Sequence, residues 1–275
     1  MAFFSGVGTR RQLFRGVLAG VAGAPLLGCN DSGGSNSGNN ASNGAGANGG
    51  AGGGTGASGG TGCCCLLKGT WVSAAAGERP VEDLQIGDVV LTLSGPKAVK
   101  WIGYNKYIKE EDRRWQASVM PIRVARFAID DDAPRRDLYL SPGHCVFFNG
   151  ALIPVKYLVN GMSIAPAVPA GTVAIEYYHV EFDAHEVIYA EGAQVESFAE
   201  ESSEREYFSN FVEYERLYGR ERRRVMLFAP ILRYRTRRQR VASIARTIMS
   251  NVVDVRDPIQ VARDQLARRA QALFA

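Results

Sequence analysis

A glycine-rich stretch of low complexity decides where this chain can fold. Between Asp31 and Gly62, 14 of the 32 residues are glycine, and almost all the others are serine, asparagine or alanine. This composition offers too little apolar surface to offset the entropy lost on folding, so the folded body must lie downstream. As a flexible coil the stretch would span about 30 Å. A tether and a filler of no required length both fit this composition.

Residues 1–28 have the layout of an export signal. A basic beginning, with three arginines in residues 9–15, precedes an apolar run from residue 16 to 28. As a helix this run would be about 20 Å long, too short for the ~30 Å core of a bilayer. Residues 9–15 also resemble the twin-arginine export motif. We therefore expect export to the periplasm or cell envelope, and a short amphipathic start that is never processed is the alternative.

The sequence Leu-Leu-Gly-Cys at residues 26–29 resembles a lipobox. In that case Cys29 would be acylated and become the new N-terminus. A single acyl chain holds a protein on a membrane only weakly, whereas several chains hold it firmly. Lipidation of Cys29 would therefore decide whether the protein is lipid-anchored or released. We expect a signal segment over residues 1–28 and a Gly/Ser/Asn-rich linker over residues 29–64.

Charge is concentrated at the C-terminal end of the chain. The formal net charge is +4, and three of the arginines lie in the signal segment, so specific nucleic-acid binding by the whole chain is not expected. Residues 201–275 contain 16 Arg, no Lys and 9 acidic residues, with apolar side chains at helical spacing. This tail is expected to be helical. An Arg cluster there could contact phosphate or anionic lipid, or could be a solvated helix face; its members are Arg233, Arg235, Arg237, Arg238 and Arg240.

Residues 69–198 show short strand-like runs separated by turn signals. One such run is Val89–Leu93. The Asn-Gly pair at residues 149–150 lies between two apolar runs and predicts a hairpin on a type I′ turn. A second Asn-Gly pair, at residues 160–161, is a turn signal of the same kind. Several short strands at this spacing predict a compact all-β domain.

An ordered set of motifs in this region resembles a known family. The motifs are Cys65 to Thr70, Glu78 to Val90, Trp101 to Gly103, Arg136 to His144, Lys156 to Gly161, Tyr177 to His185 and Ala190 to Gly192. Together they resemble a Hint domain, the self-processing module of hedgehog proteins and inteins, in its bacterial form. The resemblance covers residues 65–198. It implies a compact Hint-type β fold for these residues. Residues 199–275 follow it as the Arg-rich helical extension that their apolar spacing predicts.

Cysteine and histidine are residue types suited to peptide-bond cleavage. A cysteine thiol can attack the carbonyl that precedes it and replace the amide by a thioester, if the fold activates the thiol. A histidine beside the bond can protonate the leaving amide nitrogen. The resemblance gives these roles to Cys65, which would attack the Cys64–Cys65 bond, and to His144. Ser141 stands where the family often has threonine, and would orient the peptide or His144.

The resemblance also implies that the segment from His179 to His185 lies beside the active centre. Asp183 or His185 would then activate the group that resolves the thioester. Structural alternatives remain open for these residues. Cys65 could be a buried apolar side chain, His144 could be a hydrogen-bonded core histidine, and His179 lies in an aromatic strand that could belong to the core.

The other cysteines do not predict a metal site. Cys63 and Cys64 are adjacent, and the chain has no second cysteine pair with zinc-ligand spacing. We therefore predict neither a metal nor a cofactor. Cys145 alternates to the opposite face from His144 and is expected in the core. A disulfide after export is an alternative for the pair, and one that included Cys65 would silence it.

The sequence departs from the splicing members of the family. Inteins end in a His-Asn pair followed by a nucleophile, and residues 183–198 supply no such pair. We therefore expect autocatalytic, single-turnover cleavage after residue 64 without splicing. The substrate would be the chain's own N-terminal segment, and the thioester acceptor would be water or an external amine or alcohol.

Two other functions fit the sequence. One is a catalytically inactive Hint-like domain that acts as a tethered interaction module. The other is an Arg-rich tail that binds anionic surfaces, with the β domain as its scaffold.

Overall fold

The structure is a computed structural model that describes residues 64–109, 113–199, 204–219, 226–234 and 257–275. Several sequence-based expectations fall outside these residues. They concern the signal segment, Cys29, Cys63, the glycine-rich linker up to residue 63, four of the five clustered arginines and the periodic apolar residues between 241 and 252.

The described body is built from short antiparallel strands. In chain order these are β1 (Leu66–Leu67), β2 (Trp71–Ala74), β3 (Gly77–Pro80), β4 (Val89–Thr92), β5 (Gly95–Ala98), β6 (Trp101–Ile108), β7 (Ile122–Val124), β8 (Leu138–Leu140), β9 (Cys145–Phe148), β10 (Ala151–Pro154), β11 (Ile164–Pro166), β12 (Ala174–Glu181), β13 (Val187–Ala190) and β14 (Ala193–Glu196). Single 3₁₀ turns cover Val81–Asp83, Val155–Tyr157 and Glu204–Tyr207.

One sheet has the order β11-β7-β8-β1-β12-β6. Its strand β1 is only two residues long, yet it lies inside the sheet. Leu66 pairs with Leu140 of β8 on one side and with Tyr178 of β12 on the other. Because both edges of β1 are paired, the backbone that enters it from Cys65 has little freedom to move.

The second sheet follows the path β10-β9-β14-β13-β2-β4-β5, with β3 paired to β2. Its edge strand β10 forms a hairpin with β9, in which Phe148 pairs with Ala151. Asn149 and Gly150 between them have φ values of 53° and 78°, as a type I′ turn requires. The predicted hairpin is therefore confirmed.

The second Asn-Gly pair is part of a wider turn. Among the described residues, Asn160 is not one of those with positive φ, whereas Gly161 has a φ of 78°. The Asn160 side-chain oxygen accepts hydrogen bonds from the backbone N–H groups of Met162 and Ile164. The backbone N–H groups of Asn160 and Gly161 also donate to the Ile164 carbonyl, at 3.0 and 3.1 Å. The predicted turn is therefore present, and it is wider than the two-residue turn at residues 149–150.

The described residues after the β body include two helices, α1 (Phe211–Tyr218) and α2 (Pro258–Leu273). Helix α2 starts at Asp257, whose carboxylate accepts a hydrogen bond from the Ile259 N–H at 2.9 Å, and Pro258 occupies its first turn. It buries one face, formed by Ile259, Ala262, Leu266 and Ala270. The all-β body with a helical C-terminal extension is thus confirmed.

Within the described residues, no helix combines the length and apolarity needed to cross a bilayer.

A buried ion pair joins the extension to the body. Arg205 donates two hydrogen bonds to Glu181 at the end of β12, at 2.9 and 2.8 Å. Its guanidinium also packs against the rings of Phe198 and Tyr214. Bidentate geometry and near-complete burial make this contact specific, because either charge alone would be costly to bury.

Phe208 is the apolar part of the same junction. Its ring packs edge-on against Trp101, with centroids 5.5 Å apart. It also lies against Gly103 of β6, so closely that a Cβ atom on Gly103 would come within 2.7 Å of the ring. Glycine is required here by the close approach of the ring rather than by its φ angle.

We predict that Gly103→Ala destabilises the protein by about 1–3 kcal/mol, because the added methyl group must displace the Phe208 ring. Urea unfolding of Gly103→Ala, Phe208→Ala and the double variant measures this effect. In the Phe208→Ala background the cost of the alanine should largely vanish. If Gly103→Ala lowered the free energy of unfolding equally with and without Phe208, the contact between Gly103 and the Phe208 ring would be contradicted.

Candidate active site

Ser141 holds the backbone of Cys65 from both sides. The Cys65 N–H donates to the Ser141 hydroxyl oxygen at 2.7 Å, and the Ser141 N–H donates to the Cys65 carbonyl at 3.0 Å. Both residues are buried. The nitrogen held in this way is the amide nitrogen of the Cys64–Cys65 bond. The structure therefore brings together Cys65 and Ser141, two of the residues proposed from the sequence.

His144 lies three residues further along the same loop. Its N–H donates to the Ser141 carbonyl at 3.0 Å, which closes a tight turn, and its ring is fully buried. Burial lowers the pKa of His144 to about 4, and the charge of His185 lowers it further. The backbone of Cys64, which lies beside the ring, acts in the opposite direction and raises the pKa. The imidazole is therefore neutral near pH 7 and is positioned at the residue that precedes Cys65.

All three histidines of the chain meet in one cluster. The rings of His144 and His179 have centroids 5.4 Å apart, and His179 also packs edge-on against Phe198 at 5.4 Å. Burial holds the pKa of His179 well below its usual value; the charge of His144 adds to this, and the Ser197 backbone opposes it. The residue is thus both part of an aromatic core and a neighbour of His144.

His185 completes the cluster from the loop after β12. Burial lowers the pKa of His185 to about 4, while the charge of Glu186 and the Ser197 backbone oppose this shift. Its Nδ1 atom accepts a hydrogen bond from the backbone N–H of Phe228 at 3.1 Å. A residue of the C-terminal extension therefore contacts a candidate catalytic histidine directly.

Four imidazole nitrogens in this cluster are buried without a hydrogen-bond partner of good geometry among the described residues. They are both ring nitrogens of His144 and the Nε2 atoms of His179 and His185. Unpaired buried polar atoms each cost about 1–3 kcal/mol. Polar atoms left in this state are concentrated at functional sites, where reactivity rather than stability determines the residue type.

Asp183 has a different environment from the other proposed site residues. It is exposed at the surface of the loop that follows β12. Burial raises the pKa of the Tyr218 hydroxyl, and the charges of Glu181 and Asp183 add to this. No described hydrogen bond or ion pair joins the Asp183 carboxylate to Cys65 or to the histidines, so the structure brings only His185 of this pair into the cluster.

The described cysteines are buried. Cys64, Cys65 and Cys145 are not joined to one another by disulfides. The Cys64 thiol lies 3.4 Å from the Gly143 carbonyl, and the Cys145 thiol 3.8 Å from the same oxygen. Cys145 lies in the core, as its place on β9 suggested. Within the described part of the chain, no group of three or more His, Cys, Asp or Glu side chains is arranged to hold a metal ion.

Sequence reasoning missed the residues that close the site from the extension. Phe208 packs against His179 with ring centroids 6.3 Å apart, and Phe228 reaches His185. The helical spacing of apolar residues in the tail indicated amphipathic helices that pack on the body or on a partner. It could not show which face is covered, because that depends on the tertiary position of β6 and β12.

Comparisons with known proteins gave one family and several similar solved structures. A family model described as "Hint domain" matches residues 64–202. The gp41-1 intein is similar in structure, with 14% identity over 48% of this chain and 98% of the intein and a TM-score of 0.33. A bacterial intein-like domain from Clostridium thermocellum is 10% identical over 49% of this chain and 98% of that domain, with a TM-score of 0.29. A search of curated proteins gave no match.

The antiparallel β body, entered through a strand inside a sheet, defines a fold of the self-processing, intein-like class. The family match spans about half of the chain and includes every candidate residue of the site up to His185. The chain belongs to the Hint domain family.

We predict that acid destabilises this fold between pH 6.5 and 4. The unfolded chain binds protons at its histidines below pH 6.5, whereas folded His144 and His185 stay neutral down to about pH 4. Stability should therefore fall with decreasing pH by about 1.4 kcal/mol per pH unit for each such histidine. Denaturant unfolding across this range measures the slope. In the variant His185→Gln the slope should be smaller by the contribution of one histidine. An unchanged slope would contradict a neutral, buried His185.

Proposed function

We propose that this protein cleaves its own chain at the Cys64–Cys65 peptide bond through a thioester on Cys65, without splicing. The observation that supports this most strongly is the pair of hydrogen bonds between Cys65 and Ser141, together with His144 beside the Cys64 backbone. These contacts converge on the Cys64–Cys65 peptide bond, whose carbonyl directly precedes Cys65 and is the one that its thiol would attack.

In the first step the Cys65 sulfur bonds to the Cys64 carbonyl carbon and the carbon–nitrogen bond breaks. The thiol proton passes to the neutral imidazole of His144 and from there to the nitrogen of Cys65, which leaves as an amine. Ser141 accepts a hydrogen bond from this nitrogen before the reaction and can accept one from the amine afterwards. No proton is gained or lost overall, and the product is a thioester between Cys64 and the Cys65 side chain.

In the second step a nucleophile attacks the thioester carbonyl and the carbon–sulfur bond breaks. With water as the acceptor, the leader ends in a carboxylate at Cys64, and the thiol of Cys65 is regenerated. An external amine or alcohol would give an amide or ester instead. Of the two residues considered for activating this nucleophile, His185 is the better candidate because it lies in the buried cluster, whereas Asp183 is exposed.

The expected cellular setting follows from the sequence alone. If the chain is exported and acylated at Cys29, cleavage after residue 64 would separate a body of residues 65–275 from a short anchored leader. Cleavage would then convert a tethered protein into a released one.

We predict that the purified chain yields a fragment beginning at Cys65 and that Cys65→Ala abolishes it, because alanine has no nucleophile. Intact mass and N-terminal sequencing detect the fragment, and hydroxylamine, which attacks thioesters, should increase its yield. Cys145→Ala is the matched control, since Cys145 is an equally buried cysteine outside the proposed reaction.

A chain that stays intact with hydroxylamine would contradict self-cleavage. The fold would then be better explained as a catalytically inactive Hint domain that serves as a tethered interaction module.

We predict that Ser141→Ala slows fragment formation by about tenfold or more, because loss of a buried hydrogen bond to the reacting amide costs about 1.5 kcal/mol. Ser141→Thr should restore most of the rate, since its hydroxyl can accept the same bond. The rate with saturating hydroxylamine isolates the first step. Equal rates for the alanine and threonine variants would exclude this role of the hydroxyl group.

A further inference from the structure

The segment from Met226 to Tyr234 lies outside the family match and pairs with the edge of a sheet. Its Pro230 carbonyl accepts a hydrogen bond from the Leu152 N–H, and its Leu232 N–H donates to the Leu152 carbonyl, both at 2.9 Å. Ile231 and Leu152 form a parallel bridge. We call residues 226–234 the latch segment. It covers the outer edge of β10, which would otherwise expose unpaired backbone groups.

The latch segment also brings one backbone N–H to His185. The Phe228 ring packs edge-on against Phe147 of β9, with centroids 5.9 Å apart. In this position the Phe228 N–H donates to the Nδ1 atom of His185 at 3.1 Å. A backbone N–H group can donate a hydrogen bond only to a ring nitrogen that carries no proton. The bonded Nδ1 is therefore the unprotonated nitrogen, and Nε2 carries the ring proton.

This contact has a chemical consequence. A neutral imidazole has only one nitrogen that can accept a proton. In His185 that nitrogen is occupied by the Phe228 N–H, while the opposite nitrogen is a donor. His185 therefore has a donor at Nε2, but it cannot take a proton from an attacking nucleophile as long as the latch segment is in place.

We propose that the latch segment keeps His185 from acting as the general base that resolves the Cys65 thioester, and that release of this segment starts resolution. The proposal rests on the proposed self-cleavage, and it adds a control step to it. The thioester would form with the latch closed and persist until Phe228 moves away.

The contacts of the latch segment suit a reversible element. Met226 is 89% exposed and the Phe228 side chain is 37% exposed. Ala229, Ile231, Leu232 and Tyr234 are only partly buried against the body, and two backbone hydrogen bonds to Leu152 hold the middle of the segment. A short segment added at a sheet edge can open locally at less than the cost of global unfolding.

The test removes a single hydrogen-bond donor in the full-length chain. Phe228→Pro lacks the backbone N–H, whereas the matched control Phe228→Leu keeps both the N–H and an apolar side chain. We expect spontaneous release of the leader, without thiol or hydroxylamine, to be about tenfold faster or more in Phe228→Pro than in the wild type, because general bases contribute effects of at least this size. Phe228→Leu should cleave at the wild-type rate.

Leu232→Pro provides a second variant that releases the latch at a different point. It removes one of the two backbone bonds to Leu152 and leaves the Phe228 N–H intact, so it should also accelerate release. Thermal unfolding of each variant shows that the body remains folded. An unchanged or slower rate in folded Phe228→Pro would overturn the proposal.

A measurement that does not depend on cleavage examines the histidine itself. The chain has three histidines, so nitrogen-15 spectra of histidine-labelled Cys65→Ala protein are simple enough to assign. Wild-type contacts predict unprotonated Nδ1 and protonated Nε2 in His185, with both tautomers populated in Phe228→Pro. A protonated Nδ1 with the latch intact would overturn the proposal.

The two hypotheses fail in different ways. If hydroxylamine cleaves neither wild type nor Phe228→Pro, the proposed function is wrong and the control step falls with it. If hydroxylamine cleaves both equally, but spontaneous release is also equal, self-cleavage stands and only the role of the latch is wrong.

Discussion

The structure depends on the insertion of a two-residue strand between two longer ones. Because β1 is paired on both sides, with Leu140 and with Tyr178, the position of Cys65 is set by the sheet rather than by its own side chain. Ser141 extends this pairing by one residue and takes up both backbone groups of Cys65. A peptide bond held so rigidly is a suitable target for an intramolecular attack, since orientation is supplied before the reaction begins.

The histidine cluster shows the cost of that arrangement. Three imidazoles are buried next to one another, and burial favours their neutral form. A core of apolar residues would be more stable at this position, since four ring nitrogens there lack a partner of good geometry among the described residues. Neutral imidazoles, however, can both accept and donate protons near neutral pH, which apolar residues cannot do.

The sequence could predict those features that depend on local chemistry. The hairpin at residues 149–150 follows from the positive φ angles that Asn-Gly tolerates, and the Ser141–His144 loop follows from a family motif. The second Asn-Gly pair also lies in a turn, which is closed both by the backbone N–H groups of Asn160 and Gly161 and by the Asn160 side chain. The contact at His185 was not predictable from the sequence. It is made by the backbone N–H of Phe228, a group that every residue except proline has, so no residue type indicates it.

The point of cleavage also explains how the fold could survive the reaction. The Cys64–Cys65 bond lies just before β1, so breaking it removes no strand pairing. Cys65 keeps its carbonyl bond to Ser141, and its new amine can still donate to the Ser141 hydroxyl. Arg205 and the latch segment attach to Glu181 and Leu152, far along the chain from the broken bond. In the proposed reaction the body would therefore retain its sheets and its histidine cluster after the leader has left. The contacts to that cluster extend beyond the boundary of the family match, since Phe228 donates to His185.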